Sequence, residues 1–380
     1  MTLLSTVGDD ISRIIPVLFA YKDAAKHHIL LCDDEPSNHT RAKTLQKGMN
    51  RFSSLHRLGW SIQIITTNED SKKQIQEAVK NIFDAHQDLW LNATDGYPAM
   101  NIILSDMVRQ KGGKILSYDH FDNDLHIIEP SGEMTTKTLP TKIDLESYLT
   151  MLNYHIVDQA RQKDLQSRKA DIFSLYANES LFAKVRNELL YEHFGQKIDF
   201  DFRTAKEIMK TLFRLGVVDE NRRLIASQQK VLQGGIFEEY LFWLCVSLNP
   251  DDIAMGIKID FDDRSKEPEA HKRVHNEFDI VMMHNNRFYT VECKLSNALE
   301  GLEFVYKYDA IIDYFGNASK AIIANISPVT KEEYIGTKAS KNFQHSTLRR
   351  ARFAGVAVYH ESQVNPIKFQ NLVRNFFHIQ

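Results

Sequence analysis

Asn276-Glu277-Phe278-Asp279-Ile280-Val281-Met282-Met283-His284-Asn285-Asn286-Arg287-Phe288-Tyr289-Thr290-Val291-Glu292-Cys293-Lys294 is the stretch on which the reading of this chain turns. Two runs rich in apolar and β-branched residues flank Asn285-Asn286, a dipeptide that tolerates positive φ, which predicts a tight β-hairpin. With those two residues as the loop, His284 faces Arg287, and counting outward sets Asp279 opposite Glu292. Facing Cβ atoms in such a pair lie roughly 4.5 to 5.5 Å apart. Lys294, two residues beyond Glu292, falls on the same face, and Cys293 on the other. Two opposed carboxylates weaken a sheet unless a cation lies between them. Mg²⁺ and Mn²⁺ are hard ions that favour carboxylate oxygen, and an adjacent ammonium would then orient water or stabilise a pentavalent phosphoryl transition state. Two readings of the trio stay open on the residues alone, a metal-dependent phosphodiesterase centre and a solvated hairpin face.

Working outward, Gly234-Gly235 precede an apolar helix from Ile236 to Leu248 that carries Glu238 and Glu239 in its first turn. Strands are expected at Ile253 to Phe261, Lys320 to Asn325 and Gly355 to Tyr359, with helices near Leu302 to Tyr314 and near Leu348. Together with the hairpin these make a second α/β unit, residues 231–380. Residues 1–143 alternate strands and helices in the manner of a Rossmann-like α/β sheet with crossover helices. The strands are Thr2 to Val7, His28 to Asp33, Ser61 to Thr67, Leu89 to Thr94, Lys114 to Tyr118 and Leu125 to Glu129. The helices are Asp10 to Tyr21, Ser37 to Leu58, Ser71 to Gln87 and Pro98 to Gln110, with Asp10, Ser37 and Ser71 as caps. Ligands of such sheets sit at the carboxyl ends of the strands. That places Thr6, Gly8, Asp9 and Asp10 after the first strand, and Asn92 to Tyr97 after the fourth, around a candidate site. No G-x-G-x-x-G follows the first strand, which removes a dinucleotide-binding reading. Residues 144–230 read as a helical connector, with a winged-helix-like turn after Thr204 to Val218.

The chain has 380 residues, 43% hydrophobic and 26% charged, with a formal charge of −3. That length and composition indicate a globular protein of two or three domains and exclude a polycation that coats nucleic acid. Charge is unevenly distributed: −4 over 1–150, +3 over 151–230 and −2 over 231–380. Between Glu333 and Glu361 no acid occurs, while Lys338, Lys341, Arg349, Arg350 and Arg352 add +5, which suits either a phosphate-backbone track or a solvated helix face. No apolar run approaches a membrane span, no secretory leader is evident, and Cys32, Cys245 and Cys293 lack zinc or disulfide spacing. A cytoplasmic protein is expected. Of 15 histidines none has H-E-x-x-H spacing; His275 stands four residues before Asp279.

A glutamate on an opening helix, then D and E-x-K across a hairpin, resembles the PD-(D/E)xK restriction-endonuclease-like superfamily, with Phe278 in place of the proline. Over nearly its full length the chain resembles the CARF-domain nucleases of type III CRISPR systems, the Card/Can group. The resemblance implies that Asp279 and Glu292 ligate metal, Mn²⁺ or Mg²⁺. It also implies that Glu238 completes the acidic set and that Lys294 assists the water. For the first domain it implies a CARF-like sensor binding a cyclic oligoadenylate, the tetra-adenylate, across a homodimer two-fold. Thr6, Gly8, Asp10, Asn92, Thr94, Asp95, Gly96 and Tyr97 are then the ligand-binding residues. The family's loop reads N-x-T-G-G-T-K; Asn92, Thr94 and Gly96 fit, Asp95 stands where glycine is expected, and no lysine follows.

The expectation is a cyclic-oligoadenylate-activated, metal-dependent endonuclease cutting DNA, RNA or both in CRISPR antiviral defence. Two alternatives stand beside it. One is a CARF-type transcription regulator with an inactive C-terminal domain; the other is an unregulated restriction or repair nuclease.

Overall fold

The computed structural model describes residues 1–68, 71–196, 200–260, 276–295, 305, 313–326 and 349–379. The first sheet has the order β3-β2-β1-β4-β5-β6-β7. Its strands are β1 (Thr2–Val7), β2 (His27–Asp33), β3 (Ser61–Thr67), β4 (Leu89–Asn92), β5 (Ile115–Asp119), β6 (Asp124–Ile128) and β7 (Met134–Thr138). The first five strands pair in parallel, and β6 and β7 extend the sheet antiparallel. Strand order reverses between β1 and β4, so the crevice at their carboxyl ends is the topological switch point. Strand β7 was not expected: Met-Thr-Thr-Lys-Thr is exposed at every position, so it has no buried face to produce alternation.

Helices α1 (Ile15–Ala20), α2 (Pro36–His56), α3 (Lys72–Ala85) and α4 (Pro98–Gln110) cover this sheet. Asp10 and Ser71 cap as expected, accepting from the amides of Ser12 and Gln74. Ser37 does not. Pro36 opens α2 instead, its fixed φ already suited to a first helical position. The stretch after Asp10 is likewise broken, a 3₁₀ turn at Ile11–Arg13 preceding α1, where Pro16 sits in the first turn.

The second sheet runs β13-β12-β11-β10-β9-β8. It comprises β8 (His155–Ala160), β9 (Asp252–Asp260), β10 (Asn276–His284), β11 (Arg287–Leu295), β12 (Lys320–Ile326) and β13 (Val356–Glu361). Strands β8 to β11 are antiparallel, and β11, β12 and β13 are parallel. Residues 144–230 thus supply an edge strand, β8, besides helices α5 (Leu145–Met151), α6 (Gln162–Leu165), α7 (Lys169–Tyr176), α8 (Glu179–His193) and α9 (Lys206–Arg214). After α9 a Val218–Leu224 bridge closes the small turn expected there. Helix α10 (Ile236–Val246) is buried on almost every side, consistent with a central position between the sheet, α7 and α11 (Pro366–Phe377). The helix expected near Leu302 to Tyr314 falls largely outside the described residues.

One apolar core joins the two halves. Residues of the first sheet and α2 pack in the same cluster as Tyr148, Phe278, Phe288 and Phe315. Phe288 stacks on Phe315 at 4.0 Å between ring centroids, and the Tyr148 hydroxyl donates to the Phe315 carbonyl at 2.7 Å.

Within that core His28 packs against Trp60, and burial pushes its imidazole down to about 4 from the ordinary 6.5. The unfolded chain therefore binds a proton that the native state refuses between those values. Stability is expected to fall as pH drops through this window, by about 3 kcal/mol in total from this group. His28→Phe should flatten the slope between pH 7 and 4 in urea unfolding; a variant with the parent's slope refutes the assignment.

Candidate active site

The hairpin of β10 and β11 is closed by Asn285 and Asn286 at φ 49° and 59°, the left-handed pair that a type I′ turn requires. His284 faces Arg287, and the ladder continues to Ile280 opposite Val291. One step beyond, where the paired ladder ends, come Asp279 and Glu292, the rung reached by counting, and the Asp279 Oδ2 accepts the Cys293 N–H at 2.7 Å. On the other side, Phe278 pairs with Ile257 and Ile280 with Met255, which leaves Gly256 beside Asp279. Gly256 has φ +59°, and among the described residues a Cβ there would meet nothing within 4 Å.

Glu292 is buried, with Oε1 2.6 Å from the Lys294 ammonium. Glu238, in the first turn of α10, folds its Oε1 over Gly234. Burial raises the Asp279 carboxyl well above the usual range, and repulsion from Glu292 and Glu238 adds to it. Burial also raises Glu238, with Lys294 opposing and Glu277 and Glu292 reinforcing. Burial works to lower Lys294, but Glu292 and Asp279 outweigh it and hold the ammonium above its ordinary value. These four groups, brought from α10, β10 and β11, sense one another, and three carboxylates share one nearby ammonium. The deficit of positive charge and the hard oxygen donors suit a divalent cation at Asp279 and Glu292. As placed, no three His, Cys, Asp or Glu side chains among the described residues form a ready metal cage.

Glu239, next to Glu238, is turned away from this group: it is buried and ion-pairs with Arg168 at 3.0 Å. Glu277 was not expected near the site, and an exposed strand-end glutamate gives no signal in the sequence. Arg349, Arg350 and Arg352 lie exposed on a short helical stretch, 349–353. Lys338, Lys341 and His275 lie outside the described residues.

At the first sheet's switch point the expected loop residues form a closed hydrogen-bonded knot. The Thr6 hydroxyl donates to the Asp95 carbonyl at 2.5 Å, and the Gly8 N–H donates to Asp95 Oδ2 at 2.7 Å. Asn92 Oδ1 accepts from the Thr94 hydroxyl at 2.6 Å, and Thr94 Oγ1 accepts from the Tyr118 N–H at 3.0 Å. A Cβ on Gly8 would meet the Gly96 nitrogen at 2.8 Å, and one on Gly96 would meet Thr6 Cβ at 2.6 Å, so both glycines permit the loops to touch. The carboxylate of Asp95 is thus turned into the protein, and burial pushes it up to about 6 against the bonds from the Gly8 and Gly96 amides. Asp10 is also turned inward, its Oδ1 accepting from Ser12 and its Oδ2 from the Asn317 N–H of the second unit at 2.9 Å. Asp9 faces outward and pairs with Arg41 at 3.0 Å. Tyr97, Asn38 and Asp33 are linked, with Asn38 Nδ2 donating to both partners at 3.0 Å. Asn38, Arg41 and Asn101, whose side chain bonds Thr6, were missed because nothing in their linear spacing marks them. Beside these loops a cleft of about 740 Å³ opens between the two units, with Asp9, Arg41, Tyr154 and Tyr314 among its walls.

Residues 226–336 match the family model of the Card1-like endonuclease domain, and this span holds Glu238, Asp279, Glu292 and Lys294. Among solved structures, Can2 from Sulfobacillus thermosulfidooxidans, in complex with cyclic tetra-adenylate, shares the fold. The TM-score is 0.70 at 17% identity, over 99% of this chain and 99% of that one. Protein VC1899 from Vibrio cholerae gives 0.72 at 15% identity, over 99% and 97%. A type III CRISPR defence DNA nuclease activated by cyclic oligoadenylate gives 0.52 at 14% identity, over 87% of this chain and 47% of that one. No curated protein matches the chain.

Proposed function

We propose, for a chain whose residues 226–336 match the Card1-like endonuclease domain model, a cyclic-oligoadenylate-activated, metal-dependent nuclease of CRISPR antiviral defence that cleaves DNA, RNA or both. The observation that carries this reading is the gathering of Asp279, Glu292 and Glu238 about Lys294, with the ammonium 2.6 Å from Glu292 and the Asp279 carboxylate accepting the Cys293 N–H. Asp279 and Glu292 would hold Mn²⁺ or Mg²⁺, with Glu238 completing the acidic set. When bound, the ion supplies Lewis acidity and lowers the pKa of coordinated water. Lys294 places its ammonium where negative charge develops on the phosphoryl oxygens, in a site whose burial strengthens that interaction. The Cys293 N–H orients Asp279 by bonding one of its oxygens.

The activator reading draws support from the full-length likeness to a two-domain fold that was solved with cyclic tetra-adenylate. In this reading two chains clasp one ring, the tetra-adenylate, at the carboxyl ends of β1 and β4. Thr6, Gly8, Asn92, Thr94, Gly96 and Tyr97 shape the floor, and Asp10 and Asp95 act by holding the loops. No helix among the described residues is long and apolar enough to cross a membrane; the cytoplasm, where a nuclease of this kind would meet its substrate, is the place of work in this reading.

The test is incubation of the protein with Mn²⁺ and labelled single-stranded DNA, RNA and supercoiled plasmid against a panel of cyclic oligoadenylates. Cleavage that depends on both ring and metal is expected; no cleavage in any combination sinks the reading. A transcription regulator would keep its activity in Asp279→Ala, and an unregulated nuclease would cut without the ring. Exposed Arg349 and Arg352 belong in this reading to the substrate track. R349E/R352E is expected to slow cleavage about tenfold at low salt and to flatten its salt dependence. An unchanged salt slope removes the track.

A further inference from the structure

We propose that Asn286, in the turn of the hairpin that bears Asp279 and Glu292, is a positioning residue for that carboxylate pair, its place set from the first domain by Asn123 and Tyr118. The inference rests on the nuclease reading above. The Asn286 side chain is buried between the two units and spans them. Its Nδ2 donates to Asn123 Oδ1 at 2.9 Å, and its Oδ1 accepts the Ile143 N–H at 3.0 Å. The same Asn123 oxygen accepts the Tyr118 hydroxyl at 2.8 Å, and that hydroxyl lies 3.5 Å from the Asn285 carbonyl. Asn123 is itself anchored by donating to the Leu139 carbonyl at 3.0 Å. Three separate segments of the first unit therefore grip one β-turn of the second.

The grip is continuous with the loops at the switch point. The Tyr118 N–H donates to Thr94, whose hydroxyl donates to Asn92. A change in the Asn92–Tyr97 loop thus meets Tyr118, then Asn123 and Asn286, without crossing a solvent gap. Beyond the turn the hairpin is stiff. It is bonded rung by rung to Ile280–Val291, flanked by β9 on one side and β12 on the other, and its apolar side chains are buried. From Asn286 to Glu292 is six residues of strand, roughly 20 Å. A shift at the turn is carried along the strands as a shift of the rung, and a displacement of well under an ångström matters to groups that must converge on one cation and one phosphate.

Asn286 holds φ 59°, so Asn286→Gly keeps the turn and removes the side chain's bonds. Asn285→Gly is the control, because φ is 49° there and the bonds of Asn285 to Asp251 and Tyr118 use its backbone. Tyr118→Phe removes the hydroxyl from the other side. In the full-length protein, deuterium exchange of the Cys293 amide, which donates to Asp279, reads the rung directly. We expect it to quicken at least fivefold or so in Asn286→Gly and less in Tyr118→Phe, with melting within about 3 °C of the parent. Asn285→Gly should exchange as the parent does. With Mn²⁺ and cyclic tetra-adenylate, stimulated cleavage should drop about tenfold in Asn286→Gly while ring binding stays within about twofold.

Exchange of Cys293 at the parental rate in both variants overturns the proposal. So does exchange raised evenly over both sheets with a matching loss of melting temperature, which marks a contact that only supports the fold. A parent that cleaves nothing under any ring overturns the nuclease reading instead, and the exchange result still decides whether Asn286 positions the rung.

Discussion

Asp279→Asn is expected to lower activator-stimulated cleavage by roughly 10³-fold or more while raising the melting temperature of the metal-free protein. The two effects share one cause. Asp279 is a carboxylate taken out of water and set against Glu292 and Glu238, an arrangement that costs stability until a cation arrives. Asparagine retains an oxygen for the Cys293 N–H and removes the repulsion, so the metal-free fold gains on the order of 1 kcal/mol. It also removes a metal-binding charge. Adding Mn²⁺ should raise the parent's melting temperature and leave the variant's nearly unchanged. Calorimetric melting with and without Mn²⁺, beside gel cleavage, checks both. A variant that cleaves within tenfold or so of the parent would remove Asp279 from the chemistry.

Gly96→Ala is expected to cost about 3 kcal/mol of stability and to abolish the response to cyclic oligoadenylate. Two penalties add. The backbone at Gly96 lies at φ +86°, and a Cβ would sit 2.6 Å from Thr6 Cβ and 2.9 Å from its hydroxyl, which already donates to the Asp95 carbonyl. Relief requires the loop after β4 to move away from β1, and that opens the Gly8–Asp95 bond. Gly112→Ala isolates the backbone term. Its φ is +80° with nothing among the described residues within 4 Å of the new methyl, so it should cost only about 1 kcal/mol and leave activation intact. Urea unfolding and ring-binding calorimetry read both variants. Equal losses in the two would show that contact between the loops contributes nothing.

The elements legible in the sequence were those whose signal is local. Asn285-Asn286 sets the loop of the hairpin, and a two-residue loop leaves one register, which the pairs from His284–Arg287 to Ile280–Val291 follow. Parallel strands such as Thr2–Val7 and Ser61–Thr67 stood out through their β-branched and apolar content, and Pro98 marked the start of α4. Edge strands β7 and β8 were not legible, because an edge half-exposed to solvent has little alternation to show. Glu238 and Glu239 look alike as neighbours in one chain. Only packing separates them, by bringing Arg168 to one and Lys294 to the other.

By itself, then, the sequence determined the two α/β sheets, the hairpin with its two-residue turn and register, and the glycine-bearing loop after the fourth strand. These depend on propensity, period and turn chemistry over a dozen residues or fewer. The tertiary structure alone decided that Asp10 and Asp95 turn inward, that one apolar core serves both units, and that Asn286 meets Asn123 across 163 positions of chain. Such contacts are chosen by which surfaces meet when the whole chain packs, and no local spacing encodes them.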